Sequence, residues 1–492
     1  MTRVAVVGGG ISGLAAARSL LQQGLHATVF EKESRLGGVL RTRREGELLL
    51  EEGPDSLVAT KPAAIDLCEA LGVELIGTRS ENQRSLVVRD GRLMEVPEGF
   101  VLLAPTRLGP LLRSPLFSWA GKARMALDLL LPRGGAARHE DVDETLAAFV
   151  RRRLGKEALV RLAQPMLGGV VAGDPEHLSV RAVMPMLVQL ERDHRSVVLG
   201  MRRRRRMQRA AQAGDGIASG ARYGLFRTPK HGMQSLIEAL RQDVDERGGA
   251  VRTSSTVERI APGWTVNGEP FDGIVVALPV RAAADLLAPT DPELHDAVEA
   301  IETTSTATLN LVFRAKDVRH PLPAFGFVVP ACEGLSLMAC TFTSRKYAGR
   351  SGADTLVLRA FVGGALGEAA YAQSDDELIA RALADLKSLL GIDAAPTHAV
   401  LVRWPNRFPK LVVGHRERVS AIRSAEARLP GLAVAGNYLT GAGISDCLAS
   451  AAAAAAKLRD DLADRKRSSD PDKPHGDGQL DREGSGGGSV AG

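Results

Sequence analysis

The stretch VAVVGGGISGLAAARSLLQQGLHATVFE, residues 4–31, decides the fold of this 492-residue chain. Its first four residues are apolar and predict a short buried strand, and the apolar spacing over Leu14–Leu21 predicts a helix. Ala27–Phe30 predicts a second strand, which ends at Glu31. The order strand, helix, strand predicts a βαβ unit.

The turn between the first strand and the helix is made largely of glycine. Gly8, Gly10 and Gly13 have G-x-G-x-x-G spacing. With no side chains in the way, a pyrophosphate can approach the backbone amides at the positive end of the helix. Glu31 stands where a carboxylate accepts hydrogen bonds from a ribose diol. The stretch therefore predicts a dinucleotide site, with a plain tight turn as the alternative.

The composition is that of an ordinary soluble globular enzyme, with 45% hydrophobic and 25% charged residues. The net charge of +5 is compatible with an anionic ligand or an anionic membrane surface, and it gives no reason to expect a nucleic-acid partner. The four cysteines form no C-x-x-C pair and have no histidines at zinc-like spacing. We therefore expect no metal site and a reduced, cytoplasmic setting.

The N-terminus leads directly into a strand, so we expect no signal peptide. A transmembrane helix is not expected either, because the chain has no run of about 18 uncharged apolar residues.

Further glycine-rich stretches recur along the chain. Arg35–Thr42 contains two adjacent glycines and predicts either a second backbone approach to a phosphate-bearing ligand or a hairpin, and Glu52–Ser56 by itself predicts a loop. Buried-strand patterns return at Ile274–Pro279 and Gly431–Asn437. The turn Thr440–Asp446 then opens an alanine-rich helix and offers a second set of amides to a cofactor.

Phe100–Pro132 has a different character. Leucines, a tryptophan and three prolines alternate with basic residues. Short apolar helices with basic edges can dock on a membrane surface, cap a ligand cavity or form an ordinary helical core, and the pattern leaves all three open.

The remaining elements are predicted from periodicity and turn residues. A glycine-rich turn is expected at Gly168–Pro175, a solvated mobile loop around the five arginines Arg202–Arg206, and a disordered tail after about Arg465. A hairpin is expected over Ser85–Val96, turning at Asp90-Gly91. Helices are predicted over 62–72, 143–155, 232–240 and 376–390, and strands over 251–260, 273–278, 307–313, 325–329 and 355–362.

Several of these motifs together resemble a known family. GGGISG with Glu31, GGVLRT, EGPDS and GNYLTGAGISDC resemble the amine-oxidase-type FAD flavoproteins. Within them, the resemblance narrows to the oxygen-dependent porphyrinogen oxidases of haem synthesis. It rests on LFSWAGKAR (116–124), VVAGDPEHLSVRAVMPML (170–187), ERDHRSVVLGM (191–201), FGFVVP (325–330), RWP (403–405) and VGH (413–415). It spans residues 3 to about 460.

The resemblance implies an α/β fold, α+β overall, with a Rossmann-like FAD-binding domain, a mixed-sheet substrate domain and a small inserted helical domain. The implied parts are a FAD-binding domain of 1–80, 226–285 and 404–465, a substrate domain of 81–97, 165–225 and 286–403, a helical insert of 98–164 and the tail 466–492. The mobile arginine-rich loop is expected over 202–220.

The resemblance also implies contacts to FAD. Gly8–Gly13 would hold the pyrophosphate and Glu31 the adenosine ribose, while Trp404 would lie near the flavin ring. The implied cofactor-binding residues are Gly8, Gly9, Gly10, Ile11, Ser12, Gly13, Glu31, Lys32, Gly38, Val39, Gly53, Pro54, Asp55, Ser56, Val257, Trp404, Ala442, Gly443 and Ile444.

The implied reaction is the six-electron oxidation of a porphyrinogen by molecular oxygen, with hydrogen peroxide released. Flavin accepts hydride and no dedicated side-chain base is needed, so no catalytic side chain is assigned. The short sequence motifs that carry the resemblance favour coproporphyrinogen III as the substrate, with protoporphyrinogen IX as the alternative. Candidate substrate contacts are Arg84, Gly169, Phe325, Val328 and Met338, with Arg84, Arg181, Arg345 and Lys346 as cations at the cavity rim.

Two rival classes share the scaffold. A polyamine or monoamine oxidase would want an aromatic cage beside the flavin, and the chain has only four tyrosines and three tryptophans. A GDP-dissociation inhibitor of small GTPases has the fold without the flavin, and the presence of Glu31 and the late glycine turn argues against it. For the oxidase we expect a monomer or homodimer, delivery of product to a ferrochelatase, and a cytoplasmic location with peripheral membrane contact through 100–132.

Overall fold

The computed structural model describes residues 2–82, 84–101, 103–213 and 226–469. Its strands are β1 (Arg3–Val7), β2 (His26–Phe30), β3 (Thr42–Glu45), β4 (Leu48–Glu51), β5 (Leu57–Val58), β6 (Leu75–Gly77), β7 (Ser85–Arg89), β8 (Arg92–Glu95), β9 (Phe100–Val101), β10 (Ala104–Pro105), β11 (Phe226–Pro229), β12 (Ala250–Arg252), β13 (Ile260–Ala261), β14 (Thr265–Val266), β15 (Glu269–Pro270), β16 (Gly273–Val276), β17 (Thr303–Arg314), β18 (Gly326–Val328), β19 (Ala339–Thr341), β20 (Thr355–Gly363), β21 (His398–Pro409) and β22 (Leu432–Val434).

The helices are α1 (Ile11–Gln22), α2 (Ala63–Ala70), α3 (Leu108–Arg113), α4 (Trp119–Ala126), α5 (Gly135–Arg138), α6 (Leu146–Arg153), α7 (Lys156–Ala158), α8 (Gln164–Val171), α9 (Val180–Val183), α10 (Pro185–His194), α11 (Val197–Ala213), α12 (Gln234–Glu246), α13 (Val280–Leu287), α14 (Pro292–Glu299), α15 (Thr343–Lys346), α16 (Glu368–Tyr371), α17 (Asp375–Leu390), α18 (His415–Ala427) and α19 (Ile444–Ser469). A π-helical turn, Leu159–Ala163, leads into α8.

A five-stranded parallel sheet forms the first part of the fold, in the order β12-β2-β1-β16-β22. Its strands come from three separated stretches, as the recurring buried-strand patterns predict. Alternate residues of β1 face opposite layers: Val4 and Val6 pack with α1, α12 and α19, whereas Ala5 and Val7 pack with α13, α14 and α18. Because both faces are covered, the strands are apolar throughout.

A seven-stranded mixed sheet forms the second part, in the order β21-β17-β20-β19-β18-β7-β8. One of its faces packs on α17 through Ala307, Leu309 and Leu311 of β17. The hairpin predicted over Ser85–Val96 is confirmed as β7 and β8. The helix predicted over 376–390 is confirmed as α17, with a capping box at Ser374.

Helices α3–α11, hereafter the helical region, share one apolar core that extends from Leu103 to Met201. The helical core therefore continues beyond residue 164, where the predicted insert ends. A fully buried ion pair joins Arg153 of α6 to Asp128 inside this region.

Three local predictions are wrong. Gly168–Val171 lies in α8, not in a turn, and the helix ends at Ala172, whose φ is 50°. The arginines 202–206 lie in α11, because Val197, Val198 and Met201 bury one side of the helix and arginine is a good helix former. The strand predicted over 251–260 is reduced to β12 and β13.

The last helix also extends further than predicted. α19 continues to Ser469. Near its end, Arg465 donates hydrogen bonds to the carbonyls of Asp272 and Pro430. Residues 214–220 of the predicted loop and 470–492 of the predicted tail lie outside the described residues.

Candidate functional site

The glycine turn after β1 has no room for side chains on its inner side. A Cβ added to Gly13 would lie 1.8 Å from the carbonyl oxygen of Gly8, and one added to Gly8 would lie 2.5 Å from that of Ala277. Gly8 also has a φ of +110°, which side chains rarely allow. A Cβ on Gly10, in contrast, would meet nothing within 4 Å. The turn therefore presents open backbone at the start of α1, which suits a pyrophosphate.

Glu31 follows β2 beside this turn. Its carboxylate accepts the Gly9 N–H at 2.8 Å and the Glu33 N–H at 2.9 Å. Each oxygen has a second lone pair, so the carboxylate can still accept from a ribose diol. Lys32 points away, 63% exposed and in an ion pair with Glu33.

The second glycine pair lies directly against the first turn. The Gly37 N–H donates to the Gly9 carbonyl at 2.9 Å, and Gly10 and Gly37 form a parallel bridge. Gly38 has a φ of +58°, and a Cβ added there would lie 3.6 Å from Gly10 Cα. The glycine pair therefore lies against the first turn, and its approach to a phosphate-bearing ligand stays a prediction.

Next along the chain, Glu51 and Glu52 are anchored on the polar face of the seven-stranded sheet. Asn310 donates to the Glu51 carbonyl at 3.0 Å, and Thr308 donates to the Glu52 carbonyl at 2.6 Å. The Trp404 indole N–H donates to the same Glu52 carbonyl at 2.8 Å. Trp404 is thereby fixed beside the Glu52–Ser56 turn, and its position near a flavin ring stays a prediction.

The turn itself is held from both sides. A Cβ on Gly53 would lie 1.7 Å from the carbonyl oxygen of Val39, so the two backbones are in direct contact. On the other side, the Arg359 guanidinium donates to the Gly53 carbonyl. Pro54 is half-buried between these contacts. The structure thus brings Gly8–Gly13, Gly37–Val39, Gly53–Ser56 and Trp404 into one continuous series.

Asp55 lies in a buried charged environment. Lys346 donates to its two oxygens at 3.3 and 3.2 Å and to Ser56 Oγ at 2.8 Å, and Arg359 lies 3.6 Å from Asp55. The Tyr347 hydroxyl is 2.7 Å from Ser56 Oγ. Burial by itself would raise the pKa of Asp55, but the charges of Lys346 and Arg359 outweigh it and hold that pKa well below its usual range.

Glu51 is a second buried carboxyl, with the opposite shift. Burial raises its pKa from 4.5 to about 7, although the Met233 N–H and the Thr42 hydroxyl both donate to it. Glu52 is instead neutralised by Arg41 and Arg43, whose guanidinium nitrogens lie 2.6 and 2.8 Å from its oxygens.

The late glycine turn lies at the start of α19. Gly443 donates its N–H to Asp446 Oδ2 at 3.2 Å, and Lys61 pairs with Asp446 at 2.7 Å. Ala442 is half-buried, and Ile444, the first residue of the helix, packs against the core that contains α1.

Val257 lies apart from these contacts, in the irregular segment after β12. It packs against the core on the other face of the parallel sheet. Of the first-turn residues, Ile11 and Ser12 are buried at the start of α1.

The predicted apolar substrate residues come together where α8 meets the seven-stranded sheet. A Cβ on Gly169 would be 3.9 Å from the Ala339 Cβ, and Ala339 pairs with Val328 across β18 and β19. Met338 precedes Ala339. Phe325, the residue before β18, is half-buried and donates its N–H to the Arg84 carbonyl.

The four predicted rim cations do not share one environment. Arg84 is 62% exposed and pairs with Glu95 of the same hairpin, and Arg345 is exposed. Lys346 is only 8% exposed and engaged with Asp55, so its assignment to a rim is wrong. Arg181 donates to three carbonyls, of Val142, Ala136 and His139, within the helical region, and it serves the packing there rather than a cavity rim.

Sequence reasoning missed Arg359, Asn310 and Thr308. A pattern was available: Thr306, Thr308 and Asn310 alternate with the apolar residues of β17 from Ala307 to Leu311, and all three are buried. A buried polar face on a strand indicates a polar partner on that side, and here the partner is the backbone of Glu51 and Glu52.

Comparison with known proteins now decides the family. The model of the flavin containing amine oxidoreductases matches residues 11–459. The chain belongs to the flavin containing amine oxidoreductase family. It is thus an FAD-dependent oxidoreductase, and the open glycine backbone with Glu31 beside it fits the dinucleotide half of that cofactor.

Relatives within this family are similar over nearly their whole length. A coproporphyrinogen III oxidase of Bacillus subtilis is 32% identical, covering 90% of this chain and 95% of that protein. One of Propionibacterium freudenreichii is 34% identical over 97% of this chain and 94% of the relative. A mitochondrial protoporphyrinogen oxidase of Nicotiana tabacum is 28% identical over 92% of this chain and 94% of the relative.

Solved structures show the same fold. A protein from Exiguobacterium sp. 255-15, provisionally named a protoporphyrinogen oxidase, is 30% identical with a TM-score of 0.79, covering 94% of this chain and 99% of that one. A putrescine oxidase variant has a TM-score of 0.66 at 16% identity, covering 93% of this chain and 99% of that one, which shows the shared fold alone.

Within residues 2–82, 84–101, 103–213 and 226–469, no group of three or more metal-ligating side chains is placed to hold an ion. In the same ranges, no helix combines the length and the apolar character needed to span a bilayer.

Proposed function

We propose that this flavoenzyme oxidises coproporphyrinogen III to coproporphyrin III, with oxygen as the electron acceptor and hydrogen peroxide as the second product. The observation that carries the proposal is the similarity, over at least 90% of both chains, to relatives named coproporphyrinogen III oxidase in B. subtilis and P. freudenreichii. The anchoring of Trp404 and the Glu52–Ser56 turn supports it, because it provides a rigid flavin-side wall built from this chain's own residues.

We assign cofactor binding to the contiguous series described above. Gly8–Gly13 would bind the pyrophosphate through backbone amides, and Glu31 the adenosine ribose. Gly38, Val39 and the Gly53–Ser56 turn would follow the cofactor toward Trp404. Ala442, Gly443 and Ile444 at the start of α19 would supply further backbone donors.

FAD supplies the hydride acceptor for this reaction. Six hydrogens leave the porphyrinogen as three hydride and proton pairs, and three oxygen molecules become three molecules of hydrogen peroxide. The protein's part is to bind and orient a wide, flat, apolar ring and to exclude water. No side chain is assigned as a general base, since each proton can leave from a pyrrole N–H to water.

We place the porphyrinogen against the face where Gly169, Val328 and Met338 meet, with Phe325 and Arg84 at its edge. A small residue at 169 leaves space between α8 and Ala339, and the apolar side chains suit the macrocycle. Arg84 and Arg345 are the exposed cations suited to propionates.

Protoporphyrinogen IX is the second candidate, favoured by plant relatives that are 28% identical and named protoporphyrinogen oxidase. Coproporphyrinogen III has four propionates and protoporphyrinogen IX has two. A buried carboxylate without a partner costs on the order of 1 to 3 kcal/mol. A pocket made for four should therefore prefer the tetra-acid by about tenfold or more, since roughly 1.4 kcal/mol is one decade.

The test is kcat/KM for both porphyrinogens, followed by porphyrin fluorescence. We expect coproporphyrinogen III to be preferred and Arg84→Gln to reduce its kcat/KM selectively, with Arg92→Gln on the same hairpin as the matched control. Equal or better turnover of protoporphyrinogen IX would contradict the substrate assignment while leaving the flavin oxidase intact.

We further propose a cytoplasmic protein that touches the membrane peripherally and passes its product to a ferrochelatase, as a monomer or homodimer. The membrane contact is supported by a set of exposed apolar side chains in the segment 100–132: Leu112, Trp119, Leu127 and Leu130, with Trp119 71% and Leu130 73% exposed.

Sedimentation with anionic and neutral vesicles tests the membrane contact. A Trp119→Ser, Leu130→Ser double variant should lose binding to anionic vesicles, and Leu366→Ser, which is 46% exposed outside this segment, should not. Wild-type protein that stays in solution with both kinds of vesicle would contradict the contact.

A further inference from the structure

A group of buried charges lies behind the Gly53–Ser56 turn and is not explained by binding FAD alone. This charge cluster consists of Asp55, Lys346, Arg359, Arg350 and Glu51. Relative exposure is 8% or less for the last four. Burying charges is costly unless they are paired, so a cluster of this size requires a compensating interaction.

The cluster carries more positive than negative charge. Lys346, Arg350 and Arg359 are three cations, while Asp55 and Glu51 are at most two carboxylates. Glu52, the nearest further carboxylate along the chain, is already paired with two arginines of its own. The buried excess is therefore at least one positive charge.

One donor in this cluster is also without a partner. Arg359 uses Nη2 on the Gly53 carbonyl and Nη1 toward Asp55, but its buried Nε has no hydrogen-bond partner among the residues the structure describes. A buried donor without a hydrogen-bond partner is costly. The unpaired Arg359 Nε–H therefore indicates that a bound group, or the negative charge of a bound group, offsets this cost.

The position of the cluster identifies that group. Lys346 and Arg359 both contact the turn whose backbone touches Val39 and whose preceding carbonyl, that of Glu52, receives the Trp404 indole N–H. These are the segments assigned to the flavin end of FAD. Taking up two electrons and one proton converts oxidised flavin into the anionic reduced form, so the flavin becomes more negative by one charge.

We propose that Lys346, together with Arg359, is a positioning residue for the flavin and that the excess positive charge of this cluster raises the flavin's reduction potential. The physical reason is that a buried cation stabilises a nearby anion, and reduction creates that anion. The inference requires bound FAD but not the identity of the porphyrinogen, so it stands or falls separately from the substrate assignment.

The experiment measures the two-electron midpoint potential of each FAD-loaded variant against a reference dye. Lys346→Met should shift the ratio of reduced to oxidised flavin at least tenfold toward the oxidised form, which is about 30 mV lower. Asp55→Asn should shift it in the opposite direction. The double variant Asp55→Asn, Lys346→Met keeps the cluster's net charge and should return to within twofold of the wild type.

Two control variants should leave the potential unchanged. Lys346→Arg keeps the cation, and Lys387→Met removes an exposed lysine from α17 on the other face of the sheet. Shifts of opposite sign in the two single variants support the proposal, because loss of structure would move both the same way. Shifts of the same sign, or none, would overturn it. If Lys346→Met fails to fold, Asp55→Asn should still raise the potential and the double variant should still return to within twofold of the wild type, and failure of either result would overturn the proposal.

Discussion

The buried pair Arg153–Asp128 predicts the largest single-residue effect on stability in the helical region. Arg153 is fully buried and donates at 2.8 Å to the Asp128 carbonyl, at 2.7 Å to the Arg195 carbonyl and at 3.0 Å to the Pro132 carbonyl, besides its ion pair with Asp128. Arg153→Met would remove all of these donors at once.

Among the residues that the structure describes, the Asp128 carboxyl would then keep only Ser196 and the Val198 N–H as hydrogen-bond partners. Removing one member of a buried ion pair costs about 3 to 5 kcal/mol. In a large domain each kcal/mol lowers Tm by roughly 2 °C, so we expect a decrease of about 6 to 10 °C.

The assay is thermal unfolding followed by circular dichroism, with FAD in excess. Arg192→Met, which breaks an ion pair whose members are 32% and 81% exposed, is the matched control and should change Tm by about 2 °C at most. If Arg153→Met lowers Tm no more than this control does, the buried ion pair does not stabilise the helical region as predicted.

Two further predictions concern the nucleotide site and its surroundings. Glu31→Ala should weaken FAD retention about tenfold or more, because hydrogen bonds to a charged group are worth roughly 1.5 to 3 kcal/mol. The flavin-to-protein ratio after gel filtration measures FAD retention, with Glu33→Ala as the control. Full retention in Glu31→Ala would refute the ribose assignment. Glu51 has a pKa raised from 4.5 to about 7, so the stability it contributes is present below 4.5 and is lost as pH rises through about 7. The Tm of Glu51→Gln relative to wild type should therefore rise between about pH 5 and pH 8, and an unchanged difference would contradict this.

The sequence predicts the parallel sheet and its dinucleotide turn because those features are local. Buried strands such as Val4–Val7 are contiguous apolar runs, and the glycines that a phosphate requires are adjacent in the chain. The hairpin at Asp90-Gly91 is equally local, since the turn residues set its register.

The errors arise where packing against distant residues decides the outcome. Gly168 and Gly169 suggest a turn, yet they continue α8, because Leu167 of the same helix packs in the core of the helical region. The arginines 202–206 suggest a solvated loop until the burial of Val197 and Met201 is known. Lys346 appears to be a rim cation in sequence, and only the fold brings it to Asp55, 291 residues away.

We infer that this FAD enzyme takes hydrogens from coproporphyrinogen III. The most direct measurement is anaerobic mixing of the oxidised enzyme with coproporphyrinogen III while flavin absorbance and porphyrin fluorescence are followed together. We expect bleaching of the flavin with one coproporphyrin formed for every three flavins reduced, and faster bleaching than with protoporphyrinogen IX. A flavin that stays oxidised in the presence of coproporphyrinogen III would contradict it.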